Sequence, residues 1–377
     1  MPAPAFSVVL RTFEIAATFA ASKRTHAEAG AGVPLRSIDI SSALAPCQPS
    51  RDKDENARRR ASPPSISRCL LGARFRFVSD SRRLLRLVMS AYDGLPQHRW
   101  PAAPEFLIEL HLLPRGQRAF EEPPPLQTQE MPDALCGVID AANYVLVMPA
   151  RERALIVASE DMLAEHAQHL RQELIEFAVF ILAARSQGLV PLHAACFGMN
   201  GRGLLLLGDS GAGKSTLALQ AFVHGWELLS EDAVFVRPNG MFATGIGNFL
   251  RVRTDAVLFD RDEKVAHWIR RSPVIRRNSG VRKFEVDLRR GPGRLASAPL
   301  HLQAVVFLAN DLATIPERPL QPVAAIEAAG MLCADQAYAA TQPGWDRFVA
   351  GVRQLPAYRL QRTDPVIALT ALRSCLD

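Results

Sequence analysis

The chain lacks any apolar run long enough to cross a bilayer. The longest near its centre, Phe177 to Ala184, falls far short of the roughly twenty residues that a helical span needs, and reads instead as a buried helix. The six cysteines, at 47, 69, 136, 196, 333 and 375, form no C-x-x-C pair and no metal spacing with histidine. Reduced, mostly buried thiols in a cytoplasmic protein are the expectation. No stretch interleaves aromatic and basic residues as a nucleic-acid surface does. A formal net charge of +6 does remain, and it points to an acidic or phosphorylated partner, ATP included. A secretory signal is not expected, because Arg11 and Glu14 interrupt the apolar stretch 7–21 and no small-residue cleavage site follows cleanly. What is present is ample core: 377 residues at 48% hydrophobic content are enough for two domains.

Three regions differ in pattern. Residues 1–66 mix Ala, Ser, Pro and charges and close on "DKDENARRRASPPS", which buries too little to offset its ordering entropy; a disordered tail or an over-long translation start is expected. Residues 67–159 read as a small α+β domain. "ARFRFVS" and "EFLIELHLL" alternate as strands, "SRRLLRLVMSAY" has helical spacing, 115–132 reads as a loop, and "NYVLVMP" with "ALIVAS" reads as a hairpin over "ARER". His98 and His111 are isolated and read as surface or satisfied residues. Residues 160–377 read as a nucleotide-binding domain, opening with one long amphipathic helix over 160–185 that Gly188 stops. "LVPLHAACFGMNGRGLLLLG" then reads as a strand, a turn at Asn200-Gly201, and a second strand. A hairpin at this point implies a mixed sheet rather than a parallel one. "VRKFEVDLRR" and "LHLQAVVFLAND" are expected to continue that sheet, and the chain from Ala324 reads as helices.

The second strand runs into "LLLLGDSGAGKSTLAL", residues 204–219. Gly208-Asp209-Ser210-Gly211-Ala212-Gly213-Lys214-Ser215-Thr216 satisfies G-x-x-x-x-G-K-[ST] between a strand and a helix, the context of a phosphate-binding loop. Its glycines free the backbone to approach a ligand, and the N–H groups, the following helix N-terminus and Lys214 together suit a polyphosphate. Ser215 would place its hydroxyl on Mg²⁺, a hard ion that takes oxygen ligands.

Downstream, "GWELLSEDAVFV" ends a strand on Ser230-Glu231-Asp232. Adjacent carboxylates after such a loop are what a magnesium ligand and a catalytic base require, a solvated turn being the alternative. His193, in an apolar strand taken to lie beside the one feeding the loop, could reach that pair, or be a core histidine with a backbone partner. Arg251 and Arg253 alternate in the next segment and face either phosphate or solvent.

In order and spacing, His193-Ala-Ala-Cys-Phe, "GLLLLGDSGAGKSTLAL" and "GWELLSEDAVFV" resemble the catalytic domain of HPr kinase/phosphorylase, most closely over residues 188–240. The resemblance implies an α/β fold: a P-loop, HPr-kinase-like mixed-sheet domain, related to that of phosphoenolpyruvate carboxykinase, preceded here by the small α+β domain. It implies an ATP-dependent serine kinase with residues 208–216 holding ATP, Ser215 and Asp232 holding Mg²⁺, Glu231 as the base with His193 beside it, and Lys214 spreading the charge of the transferred phosphoryl group. Glu231 stands where the family has Asp, which moves the carboxylate by one methylene and could shift it from base toward metal ligand; "TGIGNFLRVRTDAV" lacks the family's glycine-rich signature, which argues against HPr itself, and the acceptor expected is a small protein or peptide. The expected partners are thus ATP and that acceptor, with self-association left open and neither nucleic acid nor membrane. A motor ATPase would carry an "LSGGQ"-like signature, which is absent. A regulatory ATP-binding module and a small-molecule kinase stay open as alternatives.

Overall fold

The computed structural model describes residues 63–115, 121–253, 262–276, 282–312 and 318–376. Of the tail expected over 1–66, residues 1–62 lie outside the described residues, as does 254–257 of the segment that follows the acidic pair; its end is corrected, because Ser65 and Ile66 already pair in the first strand. The fold is mixed α/β, with mixed sheets. Among the described residues no helix is long and apolar enough to cross a membrane.

The first sheet has seven strands: β1 (Ser65–Leu70), β2 (Ala73–Val78), β3 (Glu105–Leu113), β4 (Gln127–Met131), β5 (Ala134–Asp140), β6 (Asn143–Met148) and β7 (Arg153–Ser159), in the order β1-β2-β3-β7-β6-β5-β4. β2, β3 and β7 run parallel and the other pairings are antiparallel. The alternation in β2 sorts its faces, with Phe75 and Phe77 buried and Arg74 and Arg76 exposed. Helix α1 (Arg82–Tyr92) starts where Ser81 accepts a hydrogen bond from the Leu84 N–H, and it buries Leu84, Leu85, Val88, Ala91 and Tyr92. The hairpin β6–β7 turns over Pro149–Arg151 as the sequence suggests. The 115–132 loop is corrected: its end forms β4, an edge strand whose "QTQEM" buries only Thr128 and so carries no apolar alternation to read.

The single amphipathic helix expected over 160–185 is also corrected. It comprises α2 (Glu160–Glu165), a break at His166, α3 (Ala167–Leu170), a π-helical turn over Arg171–Glu176, and α4 (Phe177–Gln187). The π turn buries Arg171, Glu173 and Glu176 among apolar neighbours. From Phe177 to Ala184 every residue is buried, so this part is a core helix without a polar face. Gly188 ends it in the left-handed conformation at φ 62°. The run shares one apolar cluster with the first sheet, and Phe235 and Tyr338 join that cluster from further along the chain.

The second sheet has ten strands. β8 (Val190–His193), β9 (Ala195–Met199), β10 (Arg202–Leu207), β11 (Glu227–Ser230), β12 (Ala233–Arg237), β13 (Phe242–Gly245), β17 (Arg294–Leu295) and β18 (Leu300–Leu312) follow the order β17-β11-β9-β10-β18-β13-β12-β8, and β20 (Ala357–Arg362) then β19 (Leu320–Val323) branch from β18. β9 and β10 form the expected hairpin, with Asn200 and Gly201 at φ 53° and 76°. β10 runs parallel to β18, so the sheet is mixed. One expectation fails: β8 pairs with β12, not with the strand that feeds the loop. "VPLHAACFGM" looks like one strand, yet the chain changes partners at Ala194, whose N–H reaches the Asp232 carbonyl at 3.2 Å while Ala195 already pairs with Leu206.

From "VRKFEVDLRR", Arg282–Asp287 forms the centre of a separate three-stranded sheet, β14 (Phe249–Arg253), β16 (Arg282–Asp287) and β15 (Val274–Arg276). The C-terminal part, expected to be helical, supplies β20 next to the central β18 as well as α7 (Ala325–Asp335), α8 (Trp345–Val352) and α9 (Pro365–Arg373). Two apolar clusters cover the faces of the ten-stranded sheet. Helices α5 (Lys214–Val223), α6 (Glu263–Arg270) and α9 lie on one side, and α7 and α8 on the other.

Candidate functional site

β10 is buried on both faces: Leu204 and Leu206 enter one cluster, Leu205 and Leu207 the other. That anchorage fixes the start of the glycine-rich loop, and α5 fixes its end, with Leu217 N–H donating to the Gly213 carbonyl at 2.9 Å. Between them Gly208, Gly211 and Gly213 sit at φ 141°, 92° and 104°, a region closed to side-chain-bearing residues. A Cβ on Gly211 or Gly213 would meet nothing within 4 Å, so conformation and not crowding demands glycine there. The loop is a bare backbone surface open to one side, which is the shape an anion nest requires. Asp209, Ser210, Gly211 and Thr216 are exposed, while Gly208, Ala212, Gly213 and Ser215 are half-buried.

Lys214 is buried, and its ammonium turns back to the Gly208 carbonyl and, at 3.3 Å, to that of Asp209. Burial pulls its pKa below the usual lysine value, against the attraction of Asp232, Asp335, Glu231 and Asp209. The charge of this lysine is therefore poised over the loop in a carboxylate-rich surround.

The acidic pair divides between two sets of partners. Glu231 is buried, accepts a 2.6 Å hydrogen bond from Ser215 Oγ at one oxygen, and is approached at the other by the Arg251 N–H at 3.4 Å. Burial raises its pKa, the neighbouring Asp232 raises it further, and Ser215, Arg251 and Lys283 oppose them. Asp232 turns the other way: its Oδ1 lies 3.3 Å from His193 Nδ1 and its Oδ2 lies 3.8 Å from the Arg251 guanidinium. The resemblance places Ser215 with Asp232 and His193 with Glu231; in the fold Ser215 meets Glu231 and His193 meets Asp232. The cause is register, since His193 pairs with Ala233, next to Asp232.

His193 is held neutral over a wide range. Burial lowers its pKa to about 4, Lys214 adds to that, and Asp232 and Asp335 pull the other way. Arg251 is not a solvated strand arginine. Burial works against its charge, but Glu176, Asp232, Glu285 and Glu231 outweigh it and hold the guanidinium protonated more firmly than usual. Arg253 is exposed. His98 lies apart from this centre, with its ring nitrogens 2.9 Å from Thr244 Oγ1 and from the Ala296 carbonyl, as a structural histidine does.

A cavity of about 500 Å³ opens beside Gly208 and Asp209, with His193 and Asp232 in its wall. Its far side comes from the end of α7, where Asp335 and Gln336 line it. Reasoning from sequence missed both, because nothing in "MLCADQAY" marks chemistry and the two lie more than a hundred residues from the loop. Among the described residues no group of three or more His, Cys, Asp or Glu side chains is arranged to hold a metal ion. Ser215 and the two adjacent carboxylates supply only the few oxygen ligands that a magnesium shared with phosphate oxygens would need.

No family model matches the chain. HPr kinase/phosphorylases of Burkholderia cenocepacia, Burkholderia mallei and Paraburkholderia phymatum are each 33% identical to it over 141 residues, 36% of this chain. The match spans 41% of the length of those relatives. A solved HPr(Ser) kinase/phosphatase from Coxiella burnetii aligns with 49% of this chain and 88% of its own at 13% identity and a TM-score of 0.27. Part of the chain is thus distantly related in sequence to HPr kinase/phosphorylase.

Proposed function

We propose that the protein is an ATP-dependent kinase that passes the γ-phosphate of Mg-ATP to a serine hydroxyl of a small protein or peptide. The observation that carries this reading is the convergence of the glycine-rich loop and the His193–Asp232 pair on one cavity. Loop residues 208–216, with Lys214, would cradle the phosphates. The cavity adjoins the first two loop residues, so an acceptor entering it meets the terminal phosphate at the His193–Asp232 end.

The geometry favours an exchange of the two acidic roles. Glu231, hydrogen-bonded to Ser215 and away from the cavity, suits the metal side. Asp232 faces the cavity and suits the base, oriented by His193. Asp232 would take the proton of the acceptor hydroxyl as its oxygen bonds to the γ-phosphorus and the bond to the β–γ bridging oxygen breaks, releasing ADP. Mg²⁺, when bound, would neutralise charge on the phosphate oxygens. Lys214 and the loop N–H groups would act on the same charge, because positioning and electrostatics supply most of the catalysis in this chemistry.

The test is transfer of labelled γ-phosphate by the purified protein to HPr and to small proteins or peptides encoded beside its gene. Label on a serine, lost in Lys214→Ala and Asp232→Asn, supports the reading. ATP binding that needs Lys214, with no transfer to any acceptor, would turn it into a regulatory ATP-binding module.

A further inference from the structure

The inner edge of the cavity is held by a residue with no part in the chemistry above. β8 ends the path of the second sheet, and its last residue, His193, directs its backbone polar groups away from β12. Gln336, buried at the C-cap of α7, meets them with both ends of its amide. Its Oε1 accepts from His193 N–H at 2.8 Å and its Nε2 donates to the His193 carbonyl at 3.1 Å. This two-point contact is what the peptide group of a neighbouring strand would make. The same Nε2 donates to Asp335 Oδ2 at 2.7 Å, which fixes that carboxylate in the cavity wall. Asp335 sits at the negative end of the α7 dipole, where a carboxylate is disfavoured, so its placement depends on such a donor.

We infer that Gln336 is a positioning residue: by standing in for a neighbour strand along β8 it holds His193 against Asp232 and couples α7 to the phosphotransfer centre. The inference rests on the kinase reading for its consequence, not for its geometry. The clamp grips the His193 backbone and leaves the ring to Asp232. The ring Nδ1 makes no aligned hydrogen bond and lies 3.3 Å from Asp232, so its orientation follows its backbone. Loss of the clamp would therefore act on turnover more than on nucleotide affinity, because the hydrogen bonds of Gln336 go to His193 and Asp335 and none of them to the glycine-rich loop.

The experiment compares Gln336→Met, which keeps the length and removes the amide, with wild type, His193→Gln and the double variant. Phosphate transfer, binding of a fluorescent ATP analogue and the imidazole NMR signals are read for each. Gln336→Met is expected to lower kcat on the order of a hundredfold, the cost of a small misplacement at a reacting centre, with a much smaller change in ATP affinity. In the His193→Gln background it is expected to add almost nothing, because both changes act through one side chain. The His193 ring signals shift in Gln336→Met while those of His98 stay. Full additivity with His193→Gln, or unmoved His193 signals in a folded variant, overturns the inference. Should wild type transfer no phosphate, the kinase reading fails, and the ring signals still decide the clamp. Gln336→Asn, a shortened amide, replaces Gln336→Met if the latter does not fold, with the same two outcomes.

Discussion

At the scale of single residues, the site sets Glu231 and His193 in environments that oppose their charged forms, and each opposition is measurable. His193 ionises only near pH 4 in the fold, against an ordinary value of 6.5. Between those values the unfolded chain binds the proton and the folded chain does not, so stability rises with pH across that window and falls as pH drops through it. The full effect is roughly 3 kcal/mol, at 1.36 kcal/mol per unit. Urea unfolding from pH 7 down to pH 4 should show it, and His193→Gln should flatten the slope. Glu231 has the opposite sign: its raised pKa means that its ionised form weighs on the fold at neutral pH and is relieved in acid. Glu231→Gln is therefore expected to raise Tm at pH 7 while lowering phosphate transfer at saturating acceptor, a split that a purely structural glutamate would not give. Lys214→Ala is expected to remove ATP binding by calorimetry. It should leave the fold intact, since the ammonium partners are carbonyls of the exposed loop.

Among the elements, the loop is the most exacting. Gly213 sits at φ 104° at the start of α5, so Gly213→Ala is expected to cost on the order of 1–2 kcal/mol in denaturant unfolding and to weaken nucleotide binding together with it. The placement of that loop between a strand and a helix is legible in the sequence, because it is set locally by nine successive residues and their flanks. The hairpin before it was legible for the same reason, through Asn200-Gly201. Pairing of distant elements was not. "VPLHAACFGM" carries no mark at Ala194, where the chain leaves β12 for β10, so the sequence alone does not show which strand His193 lies beside. The acidic pair could be found from "SED", but its division between Ser215 and His193 depends on register across β8 and β12. β4 was missed because an edge strand of polar residues has no apolar period. The π turn at 171–176 was missed because its extra residue disturbs the spacing by one position only.

Across the whole molecule, the buried charges at that π turn join regions far apart in sequence. Arg171 touches Glu285 of β16 and lies 3.7 Å from Glu176, and its guanidinium stacks 4.1 Å from the centre of the Phe249 ring on β14. Arg171→Met would leave both glutamates buried without this partner, and is expected to cost about 3–5 kcal/mol in equilibrium unfolding. Because Glu176 and Glu285 also act on Arg251, the same change is expected to reduce turnover although it lies outside the cavity. The first sheet is likewise not self-sufficient, since residues 160–187 cover its apolar face. A fragment ending at residue 159 is expected to aggregate or stay unfolded by circular dichroism, and one ending at 188 to be better folded.

The edges of the ten-stranded sheet bear on the protein's company as well as on its shape. An open strand edge is a template on which a second chain can build. β17 is two residues long, β19 carries Pro322, and β8 carries Pro191 and ends under the Gln336 amide. Each outer strand is thus too short, too poor in donors or already occupied to recruit another copy. The amide that sets the histidine also covers the end of that one edge, so Gln336 variants warrant a check by light scattering before any loss of activity is read as chemistry.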